Sequence, residues 1–164
     1  KENIKSPFEL YGFDMPVGEY VFNSFNFNYR GDRTRKILFN GSLNLGKYYN
    51  GDRNSVGATV IFNGGYRFRT EFGIDKNVLK FPSTTIDADI YTLRIKYNHS
   101  VNLFNSLYFQ YNAADERLVS NFRFNLIHSP LSDLFIVYSN ISDLSGENTN
   151  NGMIALKFTK LFTF

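Results

Sequence analysis

Met153-Ile-Ala-Leu-Lys-Phe-Thr-Lys-Leu-Phe-Thr-Phe164 alternates in character and stops on a bare aromatic. Ile154, Leu156, Phe158, Phe162 and Phe164 fall on one side. Ala155, Lys157, Thr159 and Thr163 fall on the other. Period two is the signature of a strand. Chain termini tend to be polar and frayed, so an aromatic strand at an end asks for a partner surface. Two readings fit this stretch: the last strand of a soluble sandwich, or the last strand of a closed sheet lying in lipid.

The same alternation runs upstream. Nine strands are expected, over residues 17–30, 35–48, 54–63, 66–76, 87–99, 105–113, 118–128, 133–140 and 152–164, and turn residues punctuate them. Residues 1–16 alternate poorly, contain Pro7, and read as an irregular lead-in or partial strand. Residues 17–164 read as barrel strands. In 66–76, Tyr66, Phe68, Phe72 and Ile74 oppose Arg67, Arg69, Glu71 and Asp75. In 87–99, Tyr91, Leu93, Ile95 and Tyr97 oppose Thr92, Arg94, Lys96 and Asn98. Residues 134–138 are apolar on both faces, and alternation alone does not orient them.

Composition narrows the choice. The 164 residues hold no Cys and no Trp, yet 18% are aromatic. Lack of cysteine removes disulfide and thiolate-metal chemistry. No apolar run of about 20 residues exists for a membrane helix. A mean hydropathy of −0.29 is still compatible with a membrane barrel, whose apolar residues alternate with lumen-facing polar ones. The net charge of +3 is too small a basic excess to argue nucleic acid. The first residue is Lys, which reads as a processed or truncated start.

Links of unequal length join the strands. Residues 63–65, 98–104 and 128–133 read as short turns; 49–54, 78–88 and 141–151 read as longer polar links. Short turns on one side and long loops on the other are a barrel pattern. Together these features predict an all-β, antiparallel up-and-down transmembrane β-barrel, or the C-terminal part of one, with nine or ten strands here. The C-terminus would then sit at the periplasmic side of a bacterial outer membrane.

The ending resembles the C-terminal assembly signal of outer-membrane barrels, with Leu156, Phe158, Phe162 and Phe164 as its residues. Asn121-Phe-Arg-Phe124, Ser129-Pro-Leu-Ser-Asp-Leu-Phe-Ile-Val-Tyr138 and Leu156–Phe164 resemble a wider family as well. Its members are bacterial outer-membrane proteins with an N-terminal module like family-9 carbohydrate-binding domains, followed by a membrane domain of unknown function. The resemblance implies an anchor belonging to a larger envelope protein. Its implied partners are outer-membrane lipid and lipopolysaccharide, the barrel assembly machinery, and carbohydrate held by a module outside this chain. It carries over no catalytic residue and no cofactor.

Candidate chemistry is sparse. His99-Ser100 and His128-Ser129 recur in equivalent places of a repeated hairpin, 93–112 and 122–140. Adjacent residues on a strand face opposite ways, so neither pair has dyad geometry, and a turn role is expected. Asp87 with Asp89, and Asp143 with Glu147 and Asn148, are weak calcium sets or solvated loop charges. No catalytic, cofactor or metal residue is assigned, and no enzyme is expected. Lys36, Arg67, Arg69, Arg94, Lys96, Arg123 and Lys157 share the inward side, against Glu71 and Asp75. They form either a basic wall that attracts anions or an ion-pair network filling a narrow barrel. Arg30-Gly31-Asp32 reads as a turn with basic neighbours Arg33, Arg35 and Lys36. Two alternatives to the anchor remain: a pore for anionic or saccharide solutes, and a barrel enzyme acting on lipid or peptide.

Overall fold

The computed structural model describes residues 1–10, 13–82, 84–146 and 149–161. The strands are β1 (Glu2–Ile4), β2 (Phe8–Leu10), β3 (Phe13–Met15), β4 (Gly18–Tyr20), β5 (Ser24–Arg30), β6 (Ile37–Tyr48), β7 (Gly51–Gly64), β8 (Phe68–Lys80), β9 (Thr85–Asp87), β10 (Ile90–Asn98), β11 (Leu103–Asn112), β12 (Arg117–Ser129), β13 (Ser132–Asp143) and β14 (Asn150–Phe158). The chain is all-β. Its main sheet is an antiparallel meander in the order β14-β13-β12-β11-β10-β8-β7-β6-β5, with β9 alongside β8. Every registered neighbour on that path is antiparallel, so β5 and β14 run in the same direction. Among the described residues the sheet is open, each of these outer strands having one neighbour.

Register places the alternating residues on two distinct faces. One row joins Ile37, Phe62, Thr70, Ile95, Leu107, Phe122, Tyr138 and Ile154. The next row on the same face joins Phe39, Val60, Phe72, Leu93 and Phe109. Register also orients the ambiguous stretch. Leu134, Ile136 and Tyr138 lie on this apolar face, while Phe135 and Val137 lie behind it, opposite Asn125 and Arg123.

Sheet curvature follows from crowding. Side chains converge on a concave face and splay apart on a convex one. On the polar face Leu38 and Ile61 are 5% and 6% exposed. A Cβ added at Gly57, on that face, would collide with Ser42 Oγ and Asp75 Oδ1. On the apolar face, away from the outer strands, Val56, Val60 and Phe72 are 53%, 44% and 46% exposed. The polar face is therefore the inside of the curve.

The apolar band also crosses the sheet obliquely. It centres on Phe27 in β5. The residue registered with Phe27 in β7 is Val56, but the band there centres between Ala58 and Val60. In β13 the band centres on Ile136, well away from the Asp143 end that the starting row approaches. By β14 it centres on Leu156. The drift is about one residue per strand in one direction, close to 3.3 Å along for each 4.8 Å across.

Several expectations are corrected. Residues 17–30 do not form one strand: Gly18–Tyr20 pairs with β1, and only Ser24–Arg30 joins the sheet. The lead-in thus extends to Tyr20 and folds as two small pairings, β1 with β4 and β2 with β3. It is not a tenth strand of the sheet; that place is taken by β9. The link at 49–54 is a two-residue turn, because Tyr48 pairs with Gly51. Residues 78–88 contain the end of β8 and all of β9. The short–long alternation fails accordingly: this tight turn falls among the links read as long, and the six-residue loop 31–36 lies at the opposite end. The last strand stops at Phe158. Phe162 and Phe164 lie outside the described residues, as do Glu147 and Asn148.

A small core holds the lead-in in place. Met15, Leu79 and Phe81 are buried together, with Phe8, Tyr48, Tyr49 and Ile86 packed around them. Tyr48 carries the Arg53 guanidinium 5.9 Å from its ring centroid. Tyr49 Oη donates to Glu2 Oε2 at 3.3 Å. Burial, with Glu2 beside it, holds the Tyr49 hydroxyl above its ordinary pKa.

Candidate functional site

The sequence-predicted basic residues come together on the polar face. Residues registered across antiparallel strands share a face. Arg69, Lys96, Ser106 and Arg123 form one row across β8, β10, β11 and β12. Asn63 extends the row on β7, opposite Arg69, and its N–H donates to Lys36 O at 2.7 Å, which brings Lys36 level. Arg94 lies in the next row beside Glu71. The Asn98 N–H donates to Arg67 O at 2.7 Å, and the row from Asn98 passes through Phe104, Asn125 and Phe135 to Lys157. All seven basic residues thus share one face of the sheet.

Internal pairing accounts for few of them. Arg69 Nε donates to Glu71 Oε1 at 2.8 Å, and Arg69 Nη1 donates to Asn63 Oδ1 at 3.0 Å. Arg94 reaches the other Glu71 oxygen at 3.9 Å and lies over the Tyr108 ring at 5.2 Å. Arg67 Nε donates to Tyr66 Oη at 2.7 Å. Arg123 sits 5.6 Å from the Phe135 centroid. Among the described residues, Lys36, Lys96 and Lys157 have no carboxylate within ion-pair distance. Asp75, expected to oppose this wall, is registered with Gly57 and Ile90 instead, away from the row.

Two open cavities lie against the row. The first, about 500 Å³, is lined by Arg33, Arg35, Lys36, Arg69 and Lys96. The second, about 570 Å³, is lined by Lys96, Arg123, Tyr66, Phe104 and Asn105. They share Tyr66, Lys96 and Asn98. No acidic side chain lines either one among the described residues. Arg33 and Arg35 arrive from the 31–36 loop, where the sequence flagged them only as neighbours of a turn. That loop is shaped by Asp32, whose carboxylate accepts the Thr34 N–H at 2.9 Å and the Thr34 hydroxyl at 2.8 Å. Those two bonds hold the Asp32 carboxyl below its ordinary pKa.

The remaining candidates do not assemble. His99 packs edge-on against Tyr97 at 4.5 Å, with Asn105 Nδ2 3.3 Å from its Nε2. Ser100 Oγ accepts the N–H groups of Asn102 and Leu103, a turn role. His128 lies within β12 rather than in a turn, stacked on Phe158 at 5.2 Å. Asp89 is held by Lys76 at 3.3 Å. Asp143 accepts the Ser145 N–H at 2.9 Å. No group of three or more His, Asp or Glu suited to a metal forms among the described residues. No helix is long and apolar enough to cross a membrane, which says nothing of a barrel.

The class defined by fold and site is an antiparallel up-and-down β-meander with a cationic inner face. Comparison with family models, curated proteins and solved structures returns no match.

Proposed function

We propose that this sheet is part of the wall of an outer-membrane β-barrel, acting as a non-enzymatic anchor. The oblique apolar band carries the reading. A bilayer is a plane, and strands that tilt across it must shift their lipid-facing residues by a fixed step per strand. One residue per strand corresponds to a tilt of about 35°, the value typical of barrels that cross membranes. A soluble sandwich has no such plane to satisfy. Tyrosines at the band margins support the same reading: Tyr91 and Tyr97 bracket Leu93 and Ile95 on β10, and Tyr111 is registered beside Tyr91. The polar inner face and the exposed apolar outer face are the partition that lipid outside and water inside require. By resemblance, the anchored protein is an envelope protein linked to carbohydrate and inserted by the barrel assembly machinery.

Refolding the full chain into lipid vesicles tests this. Insertion should protect the strands from protease and give a heat-modifiable band in gels. Phe72→Lys should lower the stability of the inserted protein by about 2–4 kcal/mol relative to Phe72→Leu, as for a charge at the bilayer midplane. A folded monomer in detergent-free buffer with no lipid uptake would overturn the reading.

The unpaired cations favour one second reading, a pore for anionic solutes. Its measure is conductance in planar bilayers with preference for the anion.

A further inference from the structure

The geometry points to a binding site for a linear oligoanion, laid across the strands at the end of the sheet that carries the 31–36 loop. Lys36, Arg69, Lys96 and Arg123 belong to one registered row. From β6 to β12 that row spans five strand spacings, about 24 Å at 4.8 Å each. Successive cations are then roughly 10, 5 and 10 Å apart. A single small anion cannot touch more than two of them. An extended molecule with several charged groups can touch all four.

The cavities have the matching form. They meet at Tyr66, Lys96 and Asn98, so together they make one trough along the row. Arg33 and Arg35 add charge where the loop overhangs it. Lys36 and Lys96 have no ion-pair partner among the described residues, so a ligand need not displace an existing bond to reach them. Glu71, the nearby acid, is engaged by Arg69 and Arg94 and lines neither cavity. The amides of Asn63 and Asn98 lie between the cations, held by the Arg35 and Tyr66 carbonyls. Tyr66, 68% exposed, lies at the junction with the Arg67 guanidinium 5.3 Å from its ring centroid.

The chemistry that fits is an extended chain of phosphate or carboxylate groups, spaced closely enough to meet each cation along about 24 Å. A polyphosphate and an oligouronate share it. The site needs only the sheet and the loop, so it stands apart from the bilayer reading.

The test uses the full chain folded in detergent micelles, with calorimetric titration at low salt of a polyphosphate of about ten phosphates, hexagalacturonate and maltohexaose, the two anions being long enough to span about 24 Å. At least one anionic probe should bind at a single saturable site, and the neutral hexasaccharide should not. Which anion binds assigns the source, phosphate or carboxylate. Lys36→Gln combined with Lys96→Gln should weaken binding by about tenfold or more, the loss expected for charge-assisted bonds. Lys80→Gln, at the opposite end of β8, should leave binding unchanged. Circular dichroism and thermal unfolding of both variants should match the parent. If neither anion binds, or if Lys80→Gln weakens binding as much as the double substitution, the site is disproved.

Discussion

The two ends of the polar face meet different fates. At the end that carries the Tyr49 turn, the face is apolar in places, with Leu79 and Ile86 registered side by side, and the lead-in folds over it. At the other end the face carries lysine and arginine, and the chain leaves it open. The same sheet thus builds a covered floor and an exposed trough, and residue type decides which. Apolar side chains on an inner face gain by drawing a cover from the chain itself. Unpaired cations there would lose hydration under a cover, so they stay in contact with water.

The largest test of that contrast lies at the covered end. Leu79→Ala should cost about 2–5 kcal/mol in denaturant unfolding, as for a buried leucine. It should also speed proteolysis within residues 1–23, while the trough keeps its oligoanion affinity. Loss of both together would mean the two ends are one cooperative unit. A smaller effect is expected at the open end. Glu71→Gln removes the carboxylate shared by Arg69 and Arg94, both well exposed, so stability should fall by about 1 kcal/mol or less. Oligoanion binding should tighten, because two cations are freed. Weaker binding would show that Glu71 positions the arginines instead. The smallest effect concerns the rim. The Asp32 carboxyl is depressed in the folded loop, so its contribution is present above the ordinary carboxylate pKa. It is lost as pH falls through the depressed folded value. Hydrogen exchange at the Thr34 amide should therefore quicken, after correction for intrinsic rates, only on strong acidification. Asp32→Asn should flatten that dependence.

Much of this architecture was legible in the sequence. Alternation located all nine strands of the meander path and put Lys36, Arg67, Arg69, Arg94, Lys96, Arg123 and Lys157 on one side. It failed where strands outrun their apolar band. Residues 51–53 and 77–80 pair fully, yet Gly51-Asp-Arg53 and Asn77-Val-Leu-Lys80 carry no alternating apolar signal, so they looked like loop. Hydrophobic period marks the band that needs an apolar surrounding, not the full length of the ladder. Asn50-Gly51 drew the turn too late, because the positive φ of 52° falls on Tyr49, a residue that rarely signals one. The break between β4 and β5 was hidden because Val21-Phe22 continues the apolar character of the strand after it. The trough was half legible: the row was visible in alternation, but the contribution of Arg33 and Arg35 depends on where a loop folds back.

The shared direction of β5 and β14 has a geometric consequence. If those two edges met, the joint would be a parallel seam with slanted hydrogen bonds, set into an otherwise antiparallel cylinder. A second copy rotated about the cylinder axis would meet the first with the same mismatch. An odd number of intervening strands turns the joint antiparallel at both edges. The parity of the sheet, more than its width, thus dictates what can close it.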